Sequence, residues 1–264
     1  MKKNSLFVII VILLSLLTGV LFYLFVMGSP DNFLDAAMTK PKHDSTLGKM
    51  YLGGFIVPIL IGLLIMIFAF TIERFLSLKK AAGQKDIEAF LLDVEKSLDS
   101  GNIDAVLDLC NKQKGSVANI VRGGVQRFRD VRNSTEMNNS QKVAEVKRAL
   151  EEVTMLETPL LERNLVILST IASISTMIGL IGTVLGMIRA FDSLGQGGGG
   201  SSATQLSIAI SEALWNTALG IGGGIIAIVV YNMLTNKVDR FIYTIDEATL
   251  NLVESIENRF VGRA

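Results

Sequence analysis

At 264 residues, half of them apolar and only 19% charged, with a mean hydropathy of +0.46, the chain carries more hydrophobic surface than a soluble core of this size uses. Lys plus Arg and Asp plus Glu both number 25, and no basic stripe with interleaved aromatics occurs, which argues against a nucleic-acid partner. The single Cys110 cannot form an internal disulfide, and His43 has no Cys or His companion for a zinc site. No catalytic triad, carboxylate pair or metal cluster is visible, so neither an enzyme nor a cofactor is expected.

Four stretches are long enough to cross roughly 30 Å of hydrocarbon as helices, which takes about 20 apolar residues. The first lies in residues 1–27, where Leu6 to Val26 runs without a charge behind Lys2 and Lys3. It reads as a retained signal-anchor helix, because a cleaved signal has a shorter apolar region and a small-residue cleavage site. A loop over 28–50 follows. The second span, 51–72, ends abruptly at Glu73-Arg74, with Lys79, Lys80 and Lys85 beyond it. From 73 to 163 the chain is charge-balanced, with 15 basic and 15 acidic residues, and apolar positions such as Phe90, Leu91, Val94 and Leu98 recur at helical spacing. This predicts a helical domain, least regular at Asn133 to Ser140, where turn formers cluster.

The third span, 164–191, and the fourth, 206–236, are joined by a Gly/Ser loop over 192–205. A C-terminal helix covers 237–264. Three lysines fall in 28–50, fifteen cations lie between Arg74 and Arg163, none occurs from Asp192 to Asn236, and four follow. Weighted to the span flanks, this distribution puts both termini and the central domain on the cytoplasmic side. Apolar stripes at Val143, Val146, Leu150, Val153 and Leu156, and at Val238, Phe241, Ile245, Leu252 and Ile256, give the helices flanking the last spans one packing face each. Pro159 is positioned to kink the first of these helices.

Close approach of helices in lipid relies on small residues and buried polar contacts. Spans three and four are rich in both, with Gly179, Gly182 and Gly186 in one and Gly220 and Gly224 in the other as the expected packing glycines. Spans one and two carry mostly large apolar side chains and suit a lipid-facing role. GLIGTVLG and GIGGG lack the Gly-Lys-Ser/Thr and the preceding strand of a phosphate loop. Glu212 sits about 9 Å into the fourth span at 1.5 Å per residue. A charge there costs at least roughly 2.5–3.5 kcal/mol, so it faces a protein or water-lined interior, or is protonated. Two readings stay open for it: a proton-binding or pathway-lining carboxylate, or a structural acid paired with Arg189. Arg189 itself reads as an interfacial anchor whose side chain snorkels. Thr176 and Thr183 lie one heptad apart, either lining a polar pathway or bonding back to their own helix.

GLIGTVLGMIRAF (Gly179 to Phe191) and ISEALWNTALGIGGGIIAIVVYN (Ile210 to Asn232) resemble the last two spans of ExbB and TolQ, of the MotA/TolQ/ExbB proton-channel family. IERFLSLKK (Ile72 to Lys80) and the charged helical domain extend the likeness from Tyr51 to the C-terminus. The resemblance implies an all-α membrane protein of the bacterial inner membrane, with three family spans and long helices extending into a cytoplasmic domain; the N-terminal helix is an addition to that plan. It implies a ring of five copies around a dimer of an ExbD- or TolR-like one-span protein that brings a transmembrane aspartate. Thr183, Glu212 and Thr217 match the family's pore residues, while Trp215 and Asn216 stand where aliphatic or small residues are usual. The activity implied is proton-driven energising of outer-membrane transport through a TonB-like partner. A TolQ-like or other stator role, and a membrane scaffold that conducts nothing, remain as alternatives. Membrane lipid is the remaining partner.

Overall fold

In the computed structural model, residues 2–35, 38, 40–195 and 200–261 are described, and their regular structure is helical apart from one isolated bridge between Phe33 and Pro41. The order is α1 (Lys2–Phe22) continued by a π-helical turn (Tyr23–Met27), a 3₁₀ turn (Pro30–Asn32), α2 (Thr46–Tyr51), α3 (Ile56–Ala82), α4 (Ile87–Asp99), α5 (Ile103–Gln113), α6 (Gly115–Val131), α7 (Asn139–Glu162), α8 (Leu165–Gly195) and α9 (Gly200–Val261). Four helical stretches among the described residues are long and apolar enough to cross a membrane. The Gly/Ser segment is helical up to Gly195 and again from Gly200; residues 196–199 lie outside the described residues.

The chain divides into two compact units. The first comprises Met1–Ile72 and Asn164–Asn232. Within it α1 is largely uncovered, only 11% of its apolar window being buried, as large apolar side chains facing lipid require. The α3 span differs from the lipid-facing expectation: 56% of its window is buried, with Val57, Leu60, Ile67 and Phe70 at or near complete burial. The cause is a close α1–α3 approach on one side, where a Cβ on Gly19 would stand 2.6 Å from the Pro58 carbonyl oxygen. On the other side α9 approaches, with Leu64 beside Gly223.

The turn after α1 is pinned by aromatic packing. Tyr23 stacks on Tyr51 at 4.5 Å, Phe33 meets Tyr51 edge-on, and the Tyr23 hydroxyl donates to the Tyr51 carbonyl at 3.0 Å. Asn32 Nδ2 donates to the carbonyls of Val26 and Met27, supplying partners that the end of the helix otherwise lacks.

The second unit, Glu73–Arg163 with Met233–Ala264, is a helical bundle. Asp86 caps α4, Asn102 caps α5, and Asn138 with Gln141 forms a capping box on α7, so the irregular stretch stops at the box. The core joins Phe90, Val94 and Leu98 of α4 with Val121 and Val125 of α6, Val146 and Leu150 of α7, and Val238, Ile245, Leu252 and Ile256 of α9. The last four belong to the apolar stripe read from the sequence; in the α7 stripe, by contrast, Leu156 is exposed. Gly124 lets α6 and α7 close up, since a Cβ there would lie 2.5 Å from Leu150 Cδ2.

Cys110 is buried in this core, and loss of solvation pushes its thiol up to about 12. The folded protein is therefore expected to resist maleimide at pH 8 and to label fully in denaturant, as mass spectrometry of the intact chain will read. Truncating Leu150 to Ala is expected to cost about 2–5 kcal/mol, checked by the denaturation midpoint and by earlier Cys110 labelling.

Candidate functional site

The candidate site is the contact between α8 and α9, where successive small residues remove the side chains that ordinarily keep helices apart. A Cβ on Gly179 would stand 2.9 Å from the Gly220 Cα; one on Gly182, 2.5 Å from the Asn216 Cβ; one on Gly186, 2.5 Å from the Ala213 Cβ. From the α9 side, a Cβ on Gly220 would meet the Gly179 Cα at 2.6 Å and one on Gly224 the Thr176 Oγ1 at 2.5 Å. All five glycines expected from the sequence to pack helices therefore sit in this seam. At such distances side-chain hydroxyls reach the opposite backbone: Ser175 Oγ donates to the Gly220 carbonyl at 3.0 Å, and Thr217 Oγ1 to the Gly179 carbonyl at 3.1 Å.

Thr183 and Thr217 meet directly, oxygen to oxygen, at 3.0 Å, and Thr183 also reaches the Leu180 carbonyl of its own helix at 2.7 Å. The pair has two hydroxyl protons for three contacts, so at any moment one contact lacks a proton. Both oxygens keep lone pairs for an incoming donor, and the two hydroxyls can rotate to exchange donor and acceptor roles. Thr176 makes the local bond open to it, donating to the Ala172 carbonyl at 3.2 Å. It nonetheless borders the same seam through Gly224.

Glu212 is elsewhere. Helical residues advance roughly 100° each, so Glu212 and Thr217 are about 140° apart around α9, and Arg189 is about 120° from Thr183 around α8. The threonine pair thus lies on one edge of the seam and Glu212 on the other. Its Oε2 accepts from Arg189 Nη1 at 3.1 Å, with the carboxylate side chain 13% and the guanidinium 46% exposed. Gly54 borders the same guanidinium, and the positive φ of +73° there suits glycine.

Between the two edges sits Asn216, fully buried, donating Nδ2 to the Gly53 carbonyl at 3.0 Å and leaving Oδ1 without a partner among the described residues. Glycine at 53 leaves room for this contact, since a Cβ would stand 2.7 Å from that oxygen. Ser175 and Gly53 escape a reading by residue type, because their partners are remote in sequence. The spacing Ser175–Gly179–Gly182–Gly186 was the available signal for the serine.

Replacing Gly182 with Leu is expected to drive α8 and α9 apart, seen as loss of protease resistance and of the monodisperse solubilised species. The same change at Gly222, whose Cβ direction meets nothing within 4 Å, is expected to leave the chain folded.

Residues 112–247 match the family described as the MotA/TolQ/ExbB proton channel family. Among curated proteins, the chain is 41% identical over 90 residues to "Putative biopolymer transport protein ExbB-like 1" of Synechocystis, covering 33% of this chain and 35% of that one. It is 34% identical over 117 residues to "Putative biopolymer transport protein ExbB-like 3" of the same organism (44% and 55%), and 39% identical over 94 residues to "Tol-Pal system protein TolQ" of Haemophilus influenzae (35% and 40%). The aligned part thus spans about a third to a half of the length of these relatives.

Proposed function

Because the chain belongs to the MotA/TolQ/ExbB proton channel family and is a multi-pass membrane protein, we propose that it is the ring-forming subunit of a proton-driven motor in the bacterial inner membrane. In this reading about five copies surround an ExbD- or TolR-like one-span dimer, whose transmembrane aspartate exchanges its proton beside the Thr183–Thr217 pair. A TonB-like protein carries the resulting motion to outer-membrane transporters. In this reading the termini and the second unit are cytoplasmic, which the distribution of Lys and Arg supports.

The observation that carries the proposal is the direct Thr183–Thr217 contact across a seam lined mainly by small residues. An aspartate that gains and loses a proton inside a membrane needs neighbours able both to donate to the carboxylate and to accept from the carboxylic acid. Two hydroxyls sharing three contacts do both without a net charge of their own. Glu212, tied to Arg189, acts in this reading as a fixed polar group at the mouth of the path rather than as the shuttling carboxylate. A proton moving through the full membrane potential contributes roughly 2.3 kcal/mol per 100 mV, the drive for rearranging the partner. The TolQ relative, at an identity comparable to the ExbB-like ones, supports a role in envelope integrity as the second reading.

Native mass spectrometry of the complex drawn from solubilised membranes is expected to give about five copies with two one-span partners, and a lone chain or a dimer without such a partner contradicts the proposal. Thr183→Val and Thr217→Val are each expected to keep that assembly while reducing proton-driven activity to below about a tenth, measured as proton entry into liposomes holding the complex. A scaffold that conducts nothing would lose no activity in either variant.

A further inference from the structure

Within the second unit, α4 and α9 run side by side and leave between them a groove that holds a cavity of about 330 Å³. Its floor is the core itself: Val94 and Leu98 of α4, Val121 of α6, and Ala248 and Leu252 of α9, each no more than 4% exposed. Leu92 on the rim is 55% exposed, so apolar surface continues from the floor to the mouth. An open groove over an apolar floor is the form in which a protein receives one face of a partner helix.

The rim is acidic. Glu88 and Glu95 stand seven residues apart on α4, and Glu247 and Glu254 seven apart on α9, so each helix carries carboxylates along the groove. All four are exposed, and among the described residues no ion pair engages any of them. Lys85 is paired with Asp93 at 3.7 Å and Arg259 with Asp99 at 3.8 Å, and no lysine or arginine lines the cavity. In a chain whose charges balance at 25 against 25, this is a local negative field laid over an apolar slot. Ser255 lines the same cavity, and its Oγ is buried without a hydrogen-bond partner among the described residues. An unpaired buried hydroxyl is costly, and a polar group entering the groove removes that cost.

Charge selects the occupant. A second copy docked groove to groove about a two-fold axis would set these carboxylates against their own counterparts. A cationic partner instead gains from every one of them. We propose that the groove receives a basic amphipathic helix of another protein. Its apolar residues, at three- and four-residue spacing, lie over Val94, Leu98 and Leu252, and its lysines or arginines face Glu88, Glu95, Glu247 and Glu254. From Glu88 to Leu98, α4 offers roughly 15 Å at 1.5 Å per residue, the length of about three turns of such a helix. The inference is independent of the ion path assigned to Thr183 and Thr217.

The test uses the full chain in a neutral amphipol and a fluorescent peptide of about four helical turns, with leucines on one face and lysines flanking them. Anisotropy is expected to show binding that the double reversal E95K/E247K weakens at least about tenfold, with an unchanged Tm because both glutamates are exposed and unpaired. Ser255→Leu, which fills the cavity and leaves the carboxylates in place, is expected to weaken binding as well. E257K, altered at an exposed glutamate outside the groove, is expected to bind as wild type does. Absence of binding by wild type, equal binding by wild type and E95K/E247K, or equal binding of a peptide with glutamates in place of its lysines overturns the proposal. Self-association of the chain that E95K/E247K abolishes, without peptide binding, overturns it in favour of a second copy as the occupant.

Discussion

Contact between the backbones of α8 and α9 is the constraint from which the rest of the membrane unit follows. With no hydrophobic drive between helices in lipid, two apolar spans stay together through dense packing and short polar bonds, and both need the side chains between them to be missing. Gly179, Gly182, Gly186 and Gly220 provide that absence, and the hydroxyls of Ser175 and Thr217 then reach carbonyls on the opposite helix. A seam made this way is narrow, and its two edges differ in chemistry. One carries neutral hydroxyls in contact with each other; the other carries the Arg189–Glu212 ion pair beside the Gly53-Gly54 turn. Asn216 is the wedge between them, anchored to Gly53 and thereby tying α9 to the start of α3.

Separation of the edges has a physical consequence. An ion pair holds its two charged groups to one another, whereas a pair of hydroxyls with fewer protons than contacts can change roles without moving charge. A chain that binds a titrating group of a partner is best served by presenting the second kind of surface to it and keeping the first kind for structure. The helical unit is built on different terms, with capped helices around an ordinary apolar core and Arg74 dividing its guanidinium between Glu73 and the end of α7.

Much of this was legible in the sequence. Span length and hydropathy gave the four apolar helices, charge balance and helical spacing gave the second bundle, and glycine spacing gave the seam, because each depends on local composition or periodicity. The α3 span was harder to read. Its large apolar side chains look the same whether they face lipid or protein, and only the approach of α1 at Gly19 and of α9 at Gly223 decides between the two. The family resemblance groups Glu212 and Thr217 as pore residues, while five residues of helix turn them to different edges. The partners of Ser175, Asn216 and Arg74 lie 45, 163 and up to 89 residues away, and no local pattern encodes pairings of that range.

The most direct test of the two-edged seam is disulfide trapping in membranes, in a Cys110→Ser background. T183C/T217C is expected to oxidise readily within one chain, as tryptic mapping of mixed isotopically labelled and unlabelled protein will show, while T183C/E212C remains reduced. Efficient trapping of T183C/E212C within a chain, or no intrachain bond in T183C/T217C, would contradict the separation of the hydroxyl pair from the ion pair and with it the account of the site.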